Sequence, residues 1–252
     1  MRQKGSVCLL LCAALVLGLG RPARADDKKE NTATKPVPKD TKRHEGFVAQ
    51  AKKGGIDLLF LGDSITDAWG GEGHNPNAAG TKIFEKEFVP LKAANFGIGG
   101  DRTQHVLWRL QNGELDGIKP KVVMLMIGTN NSNGNDNTAE EIADGIKAIV
   151  EEIHKKSPET KVLLLGIFPR GADPNAENVK KQREKLKAVN AIIAKLDDKG
   201  KTVKFLDIGD KFLEKDGTIS KDIMPDSLHL SPKGYQIWAD AVKEPIAELM
   251  KK

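Results

Sequence analysis

Short aliphatic and β-branched runs alternate with longer amphipathic stretches along most of this 252-residue chain, and that alternation is the signature of βαβ units. Strands covered on both faces read as near-continuous apolar runs, so the pattern predicts a parallel sheet with helices on either side. Five runs qualify as strands: 56–61, 93–96, 122–127, 162–167 and 203–206. Between the third and fourth, Thr138 and Glu141 make a capping box, and Ile142, Ile146, Ile149, Val150 and Ile153 share one helical face until Ser157-Pro158 stops it. A second helix is expected over roughly 179–196, burying Leu186, Val189, Ile193 and Leu196. A last one opens with Ser231 as cap and Pro232 at its first position, and presents Ile237, Trp238, Ala241 and Val242. The expected architecture is an α/β fold: three layers, α/β/α, around a five-stranded parallel sheet, in one domain over 45–252.

The N-terminus reads differently. Residues 1–25 combine Arg2 and Lys4, an apolar stretch over 7–19 and a small-x-small site at Ala23-Arg24-Ala25, the three parts of a secretory signal peptide. The expectation is a secreted or periplasmic protein cleaved near Ala25. Both cysteines, Cys8 and Cys12, fall in this segment, which removes disulfide and thiol chemistry from the remainder. The formal charge of +5 includes Arg2, Lys4, Arg21 and Arg24, so the rest of the chain carries only a single net positive charge and a nucleic-acid partner loses its support. No later apolar run approaches the length of a membrane span. Residues 26–44, polar and holding Pro36 and Pro38, read as a flexible linker. Nothing in the sequence opposes a homodimer.

In open parallel sheets ligands bind beyond the carboxyl ends of the strands, so chemistry belongs just after each apolar run. The first run is followed by Gly62-Asp63-Ser64-Ile65-Thr66. A serine at such a strand-to-helix turn exposes its hydroxyl and aims its own N–H at an oxyanion; read alone, the same tripeptide is a common helix cap. The spacing is not Gly-x-Ser-x-Gly. After the second run comes Asn95-Phe96-Gly97-Ile98-Gly99-Gly100-Asp101, whose glycines permit close backbone approach but lack the spacing of a nucleotide loop. After the third, Gly128-Thr129-Asn130-Asn131 offers an amide donor or a plain turn. Near the end, Asp226-Ser227-Leu228-His229 sets a carboxylate three residues from an imidazole, close enough in a turn to orient it. Among the other histidines, His44 falls in the linker, His105 and His154 on helices, and His74 in a Gly/Asn-rich loop where exposure is expected. Asp63, Trp69, the loop 70–80 and the stretch from Phe168 to Gly171 stand where they could shape a substrate pocket. No His/Cys cluster with metal-ligand spacing is present, and no cofactor is called for.

These four blocks, in this order, resemble the GDSL/SGNH hydrolase superfamily. Two of these blocks, Asn95-Phe-Gly-Ile-Gly-Gly-Asp101 and Gly128-Thr-Asn-Asn131, together with His105-Val-Leu-Trp-Arg-Leu110, Asn112-Gly-Glu-Leu115 and Lys119-Pro-Lys-Val122, resemble the catalytic α subunits of the platelet-activating-factor acetylhydrolases within it. The resemblance implies a flavodoxin-like SGNH fold and a catalytic triad of Ser64, Asp226 and His229. It also implies an oxyanion hole from Ser64, Gly100 and Asn130. Ile65 replaces the leucine of the family name, Asn131 stands where many members have Asp, and the export signal has no counterpart in a cytosolic acetylhydrolase. Three readings follow: an exported O-acetyl or short-acyl esterase acting on a glycan or small-molecule ester, a lysophospholipase or lipid acetylhydrolase, and a non-catalytic binding module on the same scaffold.

Overall fold

A computed structural model describes residues 30–251; the expected signal peptide and the first residues of the expected linker lie outside them. The five apolar runs form β1 (Leu58–Gly62), β2 (Ala93–Asn95), β3 (Val122–Met126), β4 (Lys161–Leu165) and β5 (Val203–Leu206). They pair in the order β2-β1-β3-β4-β5, every pair parallel. Leu58 stands opposite both Ala93 and Val122, and Val162 opposite Val203.

Helices fill both faces: α1 (Thr41–Lys53), α2 (Ser64–Asp67), α3 (Thr81–Glu87), α4 (Thr103–Arg109), α5 (Ala139–Lys156), α6 (Glu177–Ile193) and α7 (Pro232–Met250). The capping box at Thr138 and Glu141 opens α5, and Ser231 accepts from the Gly234 N–H to open α7. Side chains alternate along each strand. Leu59, Leu61, Val123 and Leu125 pack with Val106, Ile142, Ile146, Ile149 and Val189, whereas Leu58, Phe60, Met124 and Leu163 pack with Trp69, Phe84, Phe88, Trp238 and Val242 on the other side. Each large apolar side chain fully withdrawn from water contributes about 1.5–3 kcal/mol, and two such layers are what fixes the strand register. No helix among the described residues is long and apolar enough to cross a membrane.

The expected linker needs correction. Within it, Thr32–Thr34 form a short 3-10 helix with Ala33 completely buried. The Asn31 side chain donates to the Glu141 carbonyl, the Thr103 hydroxyl to the Ala33 carbonyl, and the Val37 N–H to the Gln104 carbonyl. Asp40 caps α1, and His44 is buried with Nδ1 3.1 Å from Glu114 Oε1. Polar composition hid a strap held by hydrogen bonds rather than by apolar area.

Strand order reverses between β1 and β3, the switch point at which open α/β sheets leave a crevice. The segments following β1, β2 and β3 therefore converge.

Candidate active site

The turn leaving β1 has no room for a side chain at Gly62, where a Cβ would stand 2.2 Å from Thr66 Oγ1 and 2.3 Å from the Met126 carbonyl. Asp63 Oδ1 accepts the Ile65 N–H at 3.0 Å and caps α2. Ser64 is thereby left half-buried at the first position of that helix. From the far end of the chain, the turn before α7 is wound by Asp226, whose Oδ1 accepts the backbone N–H groups of Leu228 at 3.0 Å and His229 at 2.7 Å. Ser227 takes the left-handed conformation, φ 61°, that this winding requires. Asp226 Oδ2 remains for His229 Nδ1 at 2.6 Å, and His229 Nε2 lies 2.9 Å from Ser64 Oγ. Partial burial would raise the Asp226 pKa, but the hydrogen bonds from His229 outweigh it and hold the carboxyl below its ordinary value. A carboxylate on Nδ1 leaves the Nε2 lone pair facing the serine hydroxyl. The two segments are tied together once more where the buried Tyr235 hydroxyl donates to the Ile65 carbonyl at 2.6 Å.

The loop after β2 presses against α2. A Cβ on Gly97 would stand 2.4 Å from the Asp67 nitrogen, so only glycine fits. The Gly99 N–H donates to Asp67 Oδ2 at 3.0 Å, and Gly100 follows with φ 75°. Among the described residues neither the Ser64 nor the Gly100 N–H has a hydrogen-bond partner. The Asn130 amide donates one hydrogen to the Asp101 carbonyl at 2.8 Å and keeps a second available. Its neighbour Asn131, fully buried, accepts the Thr103 N–H and donates to Thr103, Gln104 and Asn137, stapling the loop after β3 to α4.

Ser64, Asp226 and His229 thus come together, with Gly100 on the loop that packs against α2 and Asn130 bonded to the Asp101 carbonyl of that same loop. Asp63 lies beneath them, 1% exposed, as a cap. Asp63, expected at the pocket, is therefore a buried cap, and the pocket assignments of Trp69 and Phe168 are corrected as well. Trp69 is wholly buried among Phe60, Phe88, Tyr235 and Trp238, and Phe168 packs on Phe212 and Trp238. Both rings supply core area because α7 lies across the ends of these segments. A cleft of about 750 Å³ does adjoin the Asp226 turn, lined by Arg170, Gly171, Gln182, Lys185, Asp226 and Leu228 among others. Loop 70–80 instead contributes Glu72 and Gly73 to a separate cleft beside α1.

His74 is also not exposed. Its side chain is 1% accessible, with Nδ1 2.6 Å from Asp67 Oδ1 and Nε2 2.7 Å from the Asn95 carbonyl. Arg43 reaches the same Asp67 at 3.1 Å. Burial opposes ionisation of Asp67, yet the hydrogen bonds from His74 and Arg43 bring its pKa to about 2. Sequence reasoning missed this cluster, whose one signal was an acid three residues after the serine, on the same helical turn.

The chain matches the GDSL-like Lipase/Acylhydrolase family over residues 60–237. It is 41% identical, over 82% of its length and 86% of the other chain, to the human platelet-activating factor acetylhydrolase IB subunit alpha1. Its fold is shared with a GDSL-like lipase from Bacteroides thetaiotaomicron (TM-score 0.62, 20% identity, 83% of this chain and 98% of that one). It is shared also with an acetyl xylan esterase (TM-score 0.56, 22% identity, 76% and 99%). Family match, close relative and fold agree with the convergence of the four sequence blocks on one crevice, and the chain belongs to the GDSL-like lipase/acylhydrolase family of ester hydrolases.

Proposed function

We propose that this protein is an exported serine esterase that removes acetyl or other short acyl groups from a glycan or small polar alcohol. The observation that carries the reading is the relay from Asp226 Oδ2 through His229 to Ser64 Oγ, at 2.6 and 2.9 Å. Ser64 Oγ attacks the ester carbonyl while His229 Nε2 takes its proton. The N–H groups of Ser64 and Gly100 and the Asn130 amide receive the oxyanion, each such donor contributing about 3 kcal/mol to the transition state. Collapse expels the alcohol, which leaves with the proton from His229, and the acyl group stays on Ser64. Water, deprotonated by His229, then releases the acid and restores the serine.

Acetyl as the acyl group is supported by the human relative, an acetylhydrolase by name. A lipid ester is the rival substrate on the same ground. Against a long acyl chain, Val37 and Val89 are the large hydrophobics exposed among the described residues, and the cleft beside Asp226 sets Arg170, Gln182 and Lys185 among the apolar Val179 and Leu228. A polyhydroxylic alcohol meets such a wall better than an alkyl chain does. Export rests on residues 1–25. Turnover of p-nitrophenyl acetate should exceed that of the decanoate ester, and Ser64→Ala should abolish nearly all of it. Undiminished rates in that variant would refute the mechanism, and a preference for decanoate would transfer the substrate to the lipid class.

A further inference from the structure

The Gly100 N–H belongs to the same planar amide as the Gly99 carbonyl, so whatever holds one fixes the direction of the other. That carbonyl accepts from Lys39 Nζ at 2.6 Å. The ammonium is itself held by Asp101 Oδ1 at 3.3 Å, and Asp101, 1% exposed, is gripped in turn by Arg109 Nε at 3.0 Å. Lys39 is also the group nearest to Gly100, its Cε and Nζ lying 3.6 and 3.7 Å from where a Cβ would stand. Gly100, with φ at 75°, sits in the turn that the Asp101 N–H closes on the Ile98 carbonyl at 3.1 Å, and among the described residues its own N–H has no protein partner, so Lys39 is the side chain that holds the other end of this amide. Lys39 comes from the ordered strap before α1, outside the residues that match the family.

We infer that Lys39 is a positioning residue for the oxyanion hole. The inference rests on the serine-esterase reading above. A cation on the carbonyl oxygen draws electron density from the amide, which makes its N–H a stronger donor, and it fixes that N–H in the direction the oxyanion will occupy. The gain arises where charge develops on the substrate oxygen, so it belongs in kcat rather than in KM. The strap is thereby part of the catalytic apparatus rather than a tether.

The test compares Lys39→Met, Lys39→Arg and native full-length enzyme on p-nitrophenyl acetate, together with inhibition by phenylboronic acid, whose tetrahedral serine adduct places an oxygen in the oxyanion site. Lys39→Met should lower kcat about tenfold with KM within twofold and weaken phenylboronic acid by a similar factor. Lys39→Arg, keeping the cation, should recover most of both losses. Native-like kcat in Lys39→Met, a loss confined to KM, or failure of arginine to restore activity would overturn the role of Lys39. A native enzyme without esterase activity would overturn the underlying reading instead.

Discussion

Asp63 stands next to the nucleophile yet is wholly buried, and its Oδ1 already serves the Ile65 N–H. Burial, reinforced by the nearby charge of Asp101 and opposed by that hydrogen bond, His229 and Arg170, pushes its pKa from 3.8 up to about 7. The folded protein therefore binds a proton that the unfolded chain releases between those two values. The stability this contributes is complete below the lower value and is lost as pH rises through the upper one, at up to about 1.4 kcal/mol per pH unit. Asp63→Asn keeps the acceptor without the titration. Its unfolding free energy, measured by urea denaturation between pH 4 and pH 7, should lose that downward slope, and a slope identical to the native protein's would contradict the assignment. Asp226 behaves oppositely: it lies half in water, its side chain 56% exposed, and stays ionised because its ligands are hydrogen-bond donors.

At the scale of elements, α2 is a single turn and cannot hold Ser64 in place by its own hydrogen bonds. Its rigidity comes from neighbours, among them Tyr235 in the first turns of α7, the helix that follows His229. Tyr235→Phe removes the donor to the Ile65 carbonyl and should lower stability by about 1–2 kcal/mol, read as a fall in urea midpoint at unchanged m-value. A midpoint equal to the native one would show that α2 does not depend on this tie. The strands were legible because a parallel sheet buried on both faces demands continuous apolar runs. Their ends moved by a residue or two, as with β1 at Leu58–Gly62 against the expected 56–61. Ser64, Asp226 and His229 were legible because each follows an apolar run or precedes a helix cap. The strap and the half-buried Arg43–Asp67–His74 cluster were not, since long-range hydrogen bonds between polar residues leave no period in the sequence. Trp69 and Phe168 misled for a related reason, because position after a strand does not reveal which way a ring turns.

For the molecule as a whole, the sheet order brings the ends of β1, β2 and β3 to one crevice, and α7 carries the C-terminal turn back to it. The hydroxyl and the imidazole are 165 residues apart in the chain and 2.9 Å apart in space. Catalysis is then a property of the folded sheet, with the N-terminal strap reaching the Gly99 carbonyl and the C-terminal turn reaching Ser64 from opposite ends of the sequence. The most direct measurement is the rate and site of labelling by a fluorophosphonate, which reports a serine made nucleophilic by a neighbouring base. Mass spectrometry should find the adduct on Ser64 alone, with labelling slowed at least about a hundredfold in His229→Ala. An adduct on another residue, or a rate indifferent to that substitution, would contradict the account.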